Sequence, residues 1–216
     1  MSTESGTLDF AEIERKILEL DKLPTSSEVM AFQKFLNENG FFVFKKSWGN
    51  WARYCLLKQL CLIPTAEYIN ALSKKLNELS SGTRALEVCA GDGKQSYWLR
   101  KSGTDIVATD DYSRRMRKES IDVEKLSFTD ALRKYNPRVV VASWTPPNSR
   151  VPEQVLRYPG VTHYVGIEGD PEESYSLEFF ERKDFNIQLD EGLTHLAIGP
   201  YDFSNKTKVY IITQKF

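Results

Sequence analysis

Apolar positions in the first part of the chain recur at helical spacing. Phe10, Ile13, Ile17 and Leu20 fall on one helical face, and Pro24 ends that segment. Thr25 and Glu28 have capping-box spacing just before Val29, Phe32 and Leu36, and Asn39-Gly40 is a stop signal. Trp48, Trp51, Cys55 and Leu62 give a further set of helical spacings. Pro64-Thr65 then opens a helix bearing Ile69, Leu72, Leu76 and Leu79, which Ser80-Ser81-Gly82 closes. Residues 1–81 are therefore predicted to form an N-terminal helical region.

From residue 82 onward the pattern changes to short apolar runs separated by helical segments. The predicted strands are Ala85–Cys89, Asp105–Thr109, Val123–Leu126, Arg138–Ser143, Thr162–Ile167, Leu193–Ile198 and Lys208–Thr213. Helices are expected in the first five gaps. That alternation predicts an α/β domain over 82–216, doubly wound around a mostly parallel sheet. Gly199–Thr207 is too short for a crossover helix, so the last two strands should pair antiparallel as a terminal hairpin.

Composition narrows the class without changing this picture. With 216 residues, 41% of them hydrophobic and 27% charged, the chain can bury a core without covalent staples. A net charge of −1 gives no global reason to expect nucleic acid or an anionic membrane. Three cysteines, an odd and sparse set, point to a reducing compartment rather than a disulfide framework. No Cys/His spacing resembles a metal site, and no metal is expected. The first residues are polar, without the apolar core of a signal peptide, and no run approaches the roughly 20 apolar residues of a membrane span. The expected location is cytoplasmic.

In an open α/β sheet, ligands sit at the carboxyl ends of the strands, so the strand tails carry the chemistry. Strand one begins a turn at Glu87-Val88-Cys89-Ala90-Gly91-Asp92-Gly93. Strand two ends in Asp110-Asp111, strand three in Ser127-Phe128-Thr129-Asp130, strand four in Ser143-Trp144-Thr145-Pro146-Pro147, and strand five in Glu168-Gly169-Asp170-Pro171. An acid after strand two suits a ribose, because one carboxylate accepts from both vicinal hydroxyls. That holds equally for a nicotinamide dinucleotide and for S-adenosylmethionine. Two details separate them. Ser96 stands at the third position of the dinucleotide glycine fingerprint, and Glu87 would repel a pyrophosphate while suiting a sulfonium and a zwitterionic methionine moiety.

On these motifs, residues 83–216 resemble a class I S-adenosylmethionine-dependent methyltransferase. The resemblance implies a seven-stranded sheet whose last hairpin inserts strand seven between strands five and six. It also implies S-adenosyl-L-methionine as cofactor, held by Glu87, Ala90, Gly91, Gly93, Asp110, Asp111, Phe128, Thr129 and Ser143. Phe128 and Thr129 lie where the family contacts adenine, and Ser143–Pro147 beside the transferable methyl. Trp144 would wall the methyl channel or face the sulfonium through its ring. Asp170 and Glu168, at the carboxyl end of strand five, rank above His163 and His195 as candidate bases, and Tyr201, after strand six, is a further residue within reach of the pocket mouth. Here an aromatic precedes the prolines and no Asp or Asn begins the fourth motif, a departure from amino-directed family members. The acceptor expected first is a small molecule, with protein or RNA next. The alternatives are a methyltransferase-like module acting through a partner and a nucleotide-dependent Rossmann oxidoreductase.

Plainer readings stand beside these. Gly91 and Gly93 can simply make a tight turn, and Asp110 can cap the next element. Asp130 reads as a helix opener as readily as an adenine contact. Glu172 and Glu173 follow Pro171 as first-turn acids of a helix. Arg114, Arg115, Arg117 and Lys118 read first as a solvated face. Phe41, Phe42, Phe44, Trp48, Trp51 and Tyr54 read as core, with one or two rings over the cofactor site, although the Gly49-Asn50 break is unusual inside a helix. Cys89 reads as a small buried thiol.

Overall fold

The computed structural model describes residues 8–39, 49–113, 121–145, 149–169, 179, 182–200 and 207–215. The first helices are α1 (Phe10–Leu18), α2 (Ser26–Asn39), α3 (Asn50–Lys58) and α4 (Ala66–Ser80). Their starts follow from local side-chain chemistry. Asp9 accepts the amides of Ala11 and Glu12 at 3.0 and 3.2 Å. The expected capping box closes reciprocally: the Thr25 amide donates to Glu28 Oε2 at 2.7 Å, and the Glu28 amide to Thr25 Oγ1 at 3.2 Å. Thr65 caps α4 through the Tyr68 amide. Gly49 is the N-cap of α3, so the Gly49-Asn50 break is a helix start. Leu20 lies beyond α1, and Leu62 beyond α3, which ends at Lys58 with Gln59 in the left-handed region.

The remaining elements are β1 (Ala85–Val88), α5 (Lys94–Lys101), β2 (Ile106–Asp110), β3 (Val123–Lys125), α6 (Phe128–Tyr135), β4 (Val139–Ser143), α7 (Val151–Leu156), β5 (His163–Glu168), β6 (Phe185–Leu189), α8 (Glu191–Leu196) and β7 (Lys208–Gln214). They form a seven-stranded sheet of order β3-β2-β1-β4-β5-β7-β6. Pairing from β3 to β5 is parallel, and β7 runs antiparallel between β5 and β6. The doubly wound sheet and the inserted last strand are as expected.

One strand lies elsewhere than predicted. Leu193–Ile198 is not the sixth strand. Asp190 accepts the Leu193 amide at 3.0 Å and starts α8, so Leu193, Leu196 and Ala197 are one helical face rather than a strand. The true β6 alternates Phe185, Ile187 and Leu189 with Asn186 and Gln188, the period of an edge strand packed on one side. His195 therefore sits in the last turn of α8, not at the start of a strand.

The sheet is covered on both faces. Leu86, Val88, Val140 and Ala142 face α6 and α7, where Ala131, Leu132, Val151, Val155 and Leu156 pack. Ala85, Val139, Val141 and Val165 face the other layer, built from Tyr68, Ile69, Leu72 and Leu76 of α4, Leu99 of α5 and Leu193 of α8. A separate apolar cluster joins α1, α2 and α3 through Ile13, Ile17, Val29, Phe32, Trp51, Tyr54 and Cys55, and reaches Ile63 and Ile198.

Candidate functional site

Strand parity builds the floor of the site. Side chains alternate along a strand, so Glu87 shares a face with Ala85, and Ser143 with Val139 and Val141. Register pairs Glu87 with Val141, which sets Ser143 two positions further along the neighbouring strand. Both polar residues thus emerge on the α4/α5 face, at the point where strand order reverses between β1 and β4. Both strands then turn through the left-handed region: Cys89 follows β1 at φ 55° and Trp144 follows β4 at φ 53°. Non-glycine residues held there cost on the order of 1–3 kcal/mol each and persist where the surroundings fix them. Trp144 is fixed by its amide, which donates to the Ile167 carbonyl at 2.8 Å, and Ala90 next to Cys89 by its amide, which donates to the Thr109 carbonyl at 3.1 Å.

A cavity of about 200 Å³ opens at these strand ends. Glu87, Cys89, Ala90, Gly91, Asp92, Lys94, Gln95, Asp110, Asp111, Ser113, Ser143 and Trp144 line the sheet side. The opposite wall is Gln59, Leu60, Cys61, Leu62 and Pro64, from the segment joining α3 to α4. That wall is anchored from a distance: the Ile63 amide donates to the Ile198 carbonyl at 2.8 Å, and Trp51 Nε1 to the Gly199 carbonyl at 2.8 Å.

Glu87 is 2% exposed, an acid in a strand otherwise made for the core. Gln95 Nε2 donates to its Oε1 at 2.8 Å, and the Ser96 hydroxyl donates to its Oε2. Burial pushes the carboxyl up to about 7, aided by the nearby charge of Asp92 and opposed by the Ser96 and Gln95 hydrogen bonds. The same nitrogen of Gln95 donates to Ser143 Oγ at 3.1 Å, and its Oε1 accepts from the Tyr68 hydroxyl at 3.3 Å. Burial, with the charge of Glu87, raises the Tyr68 phenol. The Cys89 thiol is pushed up to about 12 by burial and by the carboxylates of Asp110 and Asp111, which keeps it a neutral lining group.

The acids after β2 are held differently. Asp110 Oδ2 accepts the Gly91 amide at 3.0 Å and Oδ1 the Tyr112 amide at 2.7 Å, so this carboxylate stitches the two turns together. Asp111 is exposed, and hydrogen bonds from Ser113 hold its carboxyl below the usual range. Asp92 accepts the Lys94 amide at 3.1 Å, while the Lys94 ammonium donates to the Leu18 carbonyl at 2.9 Å. Asp92, Asp110 and Asp111, with a partly ionised Glu87, outweigh the one ammonium among the lining residues and favour a cationic ligand over a pyrophosphate.

Gly93 has a reason internal to the sheet. It sits at φ 78°, and a Cβ there would lie 2.4 Å from Val123 Cγ2 and 2.6 Å from the Ile121 carbonyl oxygen. The glycine is required by the approach to β3 as well as by the turn.

Of the residues expected around a ligand, the cavity brings together Glu87, Ala90, Gly91, Asp110, Asp111, Ser143 and Trp144. Gly93 is not among the lining residues. Phe128 and Thr129 open α6 away from it: Phe128 packs against the α6/α7 core, and Thr129 shares a hydroxyl contact with Ser127 at 3.0 Å. Ser127 is the N-cap of α6, accepting the Asp130 amide, so Asp130 is the partner of the cap and not the cap itself. Glu168 is fully buried, and its Oε1 accepts the amide and hydroxyl of Thr145 at 3.2 and 2.9 Å. His163 opens β5, bonded to Thr162 Oγ1 at 2.8 Å, and burial lowers its pKa. Trp51 and Tyr54 are core rings, as expected of most of that group. Asp170, Pro146, Pro147, Pro171, Glu172, Glu173, Tyr201, Trp48, Phe41, Phe42, Phe44 and the Arg114–Lys118 cluster lie outside the described residues. Gln59 to Leu62, Pro64, Lys94 and Gln95 were not expected at the site. Gln95 carried a usable signal: a buried strand acid needs donors, and Gln95 and Ser96 sit on the helix that follows it. Among the described residues no cluster of His, Cys, Asp and Glu could hold a metal ion, and no helix is long and apolar enough to cross a membrane.

The sheet order, the antiparallel β7 and a cavity at the ends of β1, β2 and β4 define a class I methyltransferase-like fold. No family model matches the chain, and no curated protein does. Among solved structures it is similar to the 23S rRNA methyltransferase ErmE, at 13% identity over 70% of this chain and 69% of that one, with a TM-score of 0.43. It is similar to a SAM-dependent methyltransferase from Archaeoglobus fulgidus, at 14% identity over 69% of this chain and 94% of that one, with a TM-score of 0.43. It is also similar to the plantazolicin methyltransferase BpumL in complex with SAH, at 8% identity over 69% and 83% of the two chains, with a TM-score of 0.40.

Proposed function

We propose that the cavity binds S-adenosylmethionine and that the chain is a methyltransferase, with a small molecule as the first expectation for the acceptor. The observation that carries this reading is one cavity at the β1/β4 switch point with Glu87 at its back and Asp110 and Asp111 beside the β1 turn. These residues fit the cofactor. A ribose needs a carboxylate that accepts from vicinal hydroxyls, and Asp110 and Asp111 retain lone pairs beyond their backbone bonds. A sulfonium and an ammonium suit a cavity rich in carboxylates, where a pyrophosphate would be repelled. Ala90 and Gly91 bring backbone close to the ligand, and Phe128 and Thr129, which open α6 away from the cavity, are not assigned to the adenine.

The bound cofactor supplies an electrophilic methyl group, and the protein supplies position and desolvation. Residues 82–216 form the binding domain in this reading, with 1–81 as its cap. Trp144, kinked at the end of β4, is assigned to the methyl channel. Glu168 acts behind it, holding Thr145 and so the start of that loop, and Asp170 is the remaining candidate base. The carboxylates around the cavity disfavour a phosphate backbone at its mouth, which supports a small acceptor over RNA.

Calorimetry with S-adenosylhomocysteine and with NAD on the full chain tests the reading. Binding of the first and not the second is expected. Binding of NAD alone, or of neither, would sink it.

A further inference from the structure

Resting on that reading, we propose that Gln95 is a positioning residue that turns Ser143 into a hydrogen-bond donor for the carboxylate of the cofactor's amino-acid moiety. Glu87 and Ser143 thereby form a pair that reads a zwitterion: Glu87 accepts from the ammonium, and Ser143 donates to the carboxylate.

The argument is one of counting protons. An amide nitrogen carries two hydrogens. Gln95 Nε2 spends one on Glu87 Oε1 at 2.8 Å and the other on Ser143 Oγ at 3.1 Å. The amide cannot turn over without cost, since its oxygen is held by the Tyr68 hydroxyl at 3.3 Å and would otherwise face a carboxylate. Ser143 Oγ is therefore an acceptor toward Gln95, and its own proton must leave in another direction. Among the described residues no acceptor takes that proton, while Ser143 is half-buried on the cavity wall. The hydroxyl is left to donate to whatever fills the cavity.

What it meets follows from its neighbours. Glu87 and Ser143 are tied to a single nitrogen, so an acceptor and a donor stand within a few ångströms of one another on one wall. An α-amino acid presents its ammonium and carboxylate at comparable separation. The ammonium on that wall, Lys94, is turned to the Leu18 carbonyl at 2.9 Å. Asp92, Asp110 and Asp111 supply no donors. The Ser143 hydroxyl is thus the side-chain donor placed beside Glu87 for a negative group.

Two ligands separate this role from a general structural one: S-adenosylhomocysteine, which has the amino-acid moiety, and 5′-methylthioadenosine, which lacks it. Calorimetry is done on the full chain and on Ser143→Ala, Ser143→Thr, Gln95→Met and the Ser143→Ala/Gln95→Met pair. Ser143→Ala is expected to weaken S-adenosylhomocysteine by about tenfold, as for a lost hydrogen bond to a charged group, and to leave 5′-methylthioadenosine unchanged. Ser143→Thr, which keeps the hydroxyl, should restore most of the affinity. Gln95→Met should show the same ligand selectivity, and the double variant should lose less than the product of the single losses, because both act on one interaction. Equal losses for the two ligands, or independent losses in the double variant, overturn the proposal while leaving the cofactor assignment standing. A wild-type chain that binds neither ligand overturns the cofactor assignment and this subsite with it. If Gln95→Met fails to fold, the Ser143→Ala and Ser143→Thr pair alone decides between the two outcomes for the hydroxyl.

Discussion

The two walls of the cavity are built by opposite means. The sheet wall is rich in acids, and most of its residues are placed by strand register or by the turn that ends a strand, with Lys94 and Gln95 added by the first turn of α5. The facing wall, Gln59 to Leu62 and Pro64, is largely apolar and comes from an irregular segment. It is held by a Trp51 bond to Gly199, 148 positions along the chain, and by the Ile63 bridge to Ile198. A wall made by register is stiff because the whole sheet must move to change it. A wall made by a few long-range anchors depends on each of them.

The largest test of that contrast removes an anchor. Trp51→Ala deletes a fully buried ring and its bond to Gly199 and should cost about 3–5 kcal/mol in urea unfolding. A loss near that of an exposed position would show that the wall does not depend on it. The sheet wall is next, through Glu87. Its carboxyl titrates near 4.5 in the unfolded chain and at about 7 when folded, so between those values the folded state holds the proton more tightly. The stability it contributes is full below about pH 4.5 and is lost as pH rises through 7, on the order of 3 kcal/mol in all. Glu87→Gln should flatten that part of the stability-against-pH curve, and an unchanged slope would contradict the burial argument. Asp110→Asn removes the charge offered to a ribose and sets an amide donor against one of the two backbone amides that Asp110 accepts, and S-adenosylhomocysteine should bind at least about tenfold more weakly, a loss of ~1.4 kcal/mol or more. Smallest is Thr65→Ala, which removes the cap of α4 just beyond Pro64 and should cost about 1 kcal/mol in thermal unfolding, with little change in affinity.

The same contrast explains what could be read from the sequence. Glu87, Gly91, Asp110 and Ser143 were legible because each lies at the end of an apolar run, and the ends of parallel strands converge by topology alone. The caps at Thr25 and Thr65 were legible because their chemistry spans a few neighbouring residues. β6 was missed because Leu193, Leu196 and Ala197 presented an apolar run whose spacing is helical, while Phe185, Ile187 and Leu189 alternate weakly on an edge. The apolar wall was missed for a different reason. Leu60 and Leu62 are ordinary apolar residues, and nothing near them encodes contacts to Ile198 and Gly199. The aromatic residues before them drew notice, yet Trp51 and Tyr54 are core, and what meets the cavity is the segment they anchor.

Gly93 carries a lesson for anyone who would re-engineer this turn. Its missing methyl is demanded by the Ile121 carbonyl and the Val123 side chain, neither of which touches the cavity. A library randomised at 93 and selected only for soluble expression should still return glycine. Trimming Val123 would relieve the side-chain clash and leave the carbonyl in place, so the two positions cannot be traded for one another. The glycine signature would then survive in descendants that had abandoned the ligand altogether, a record of how the third strand is seated.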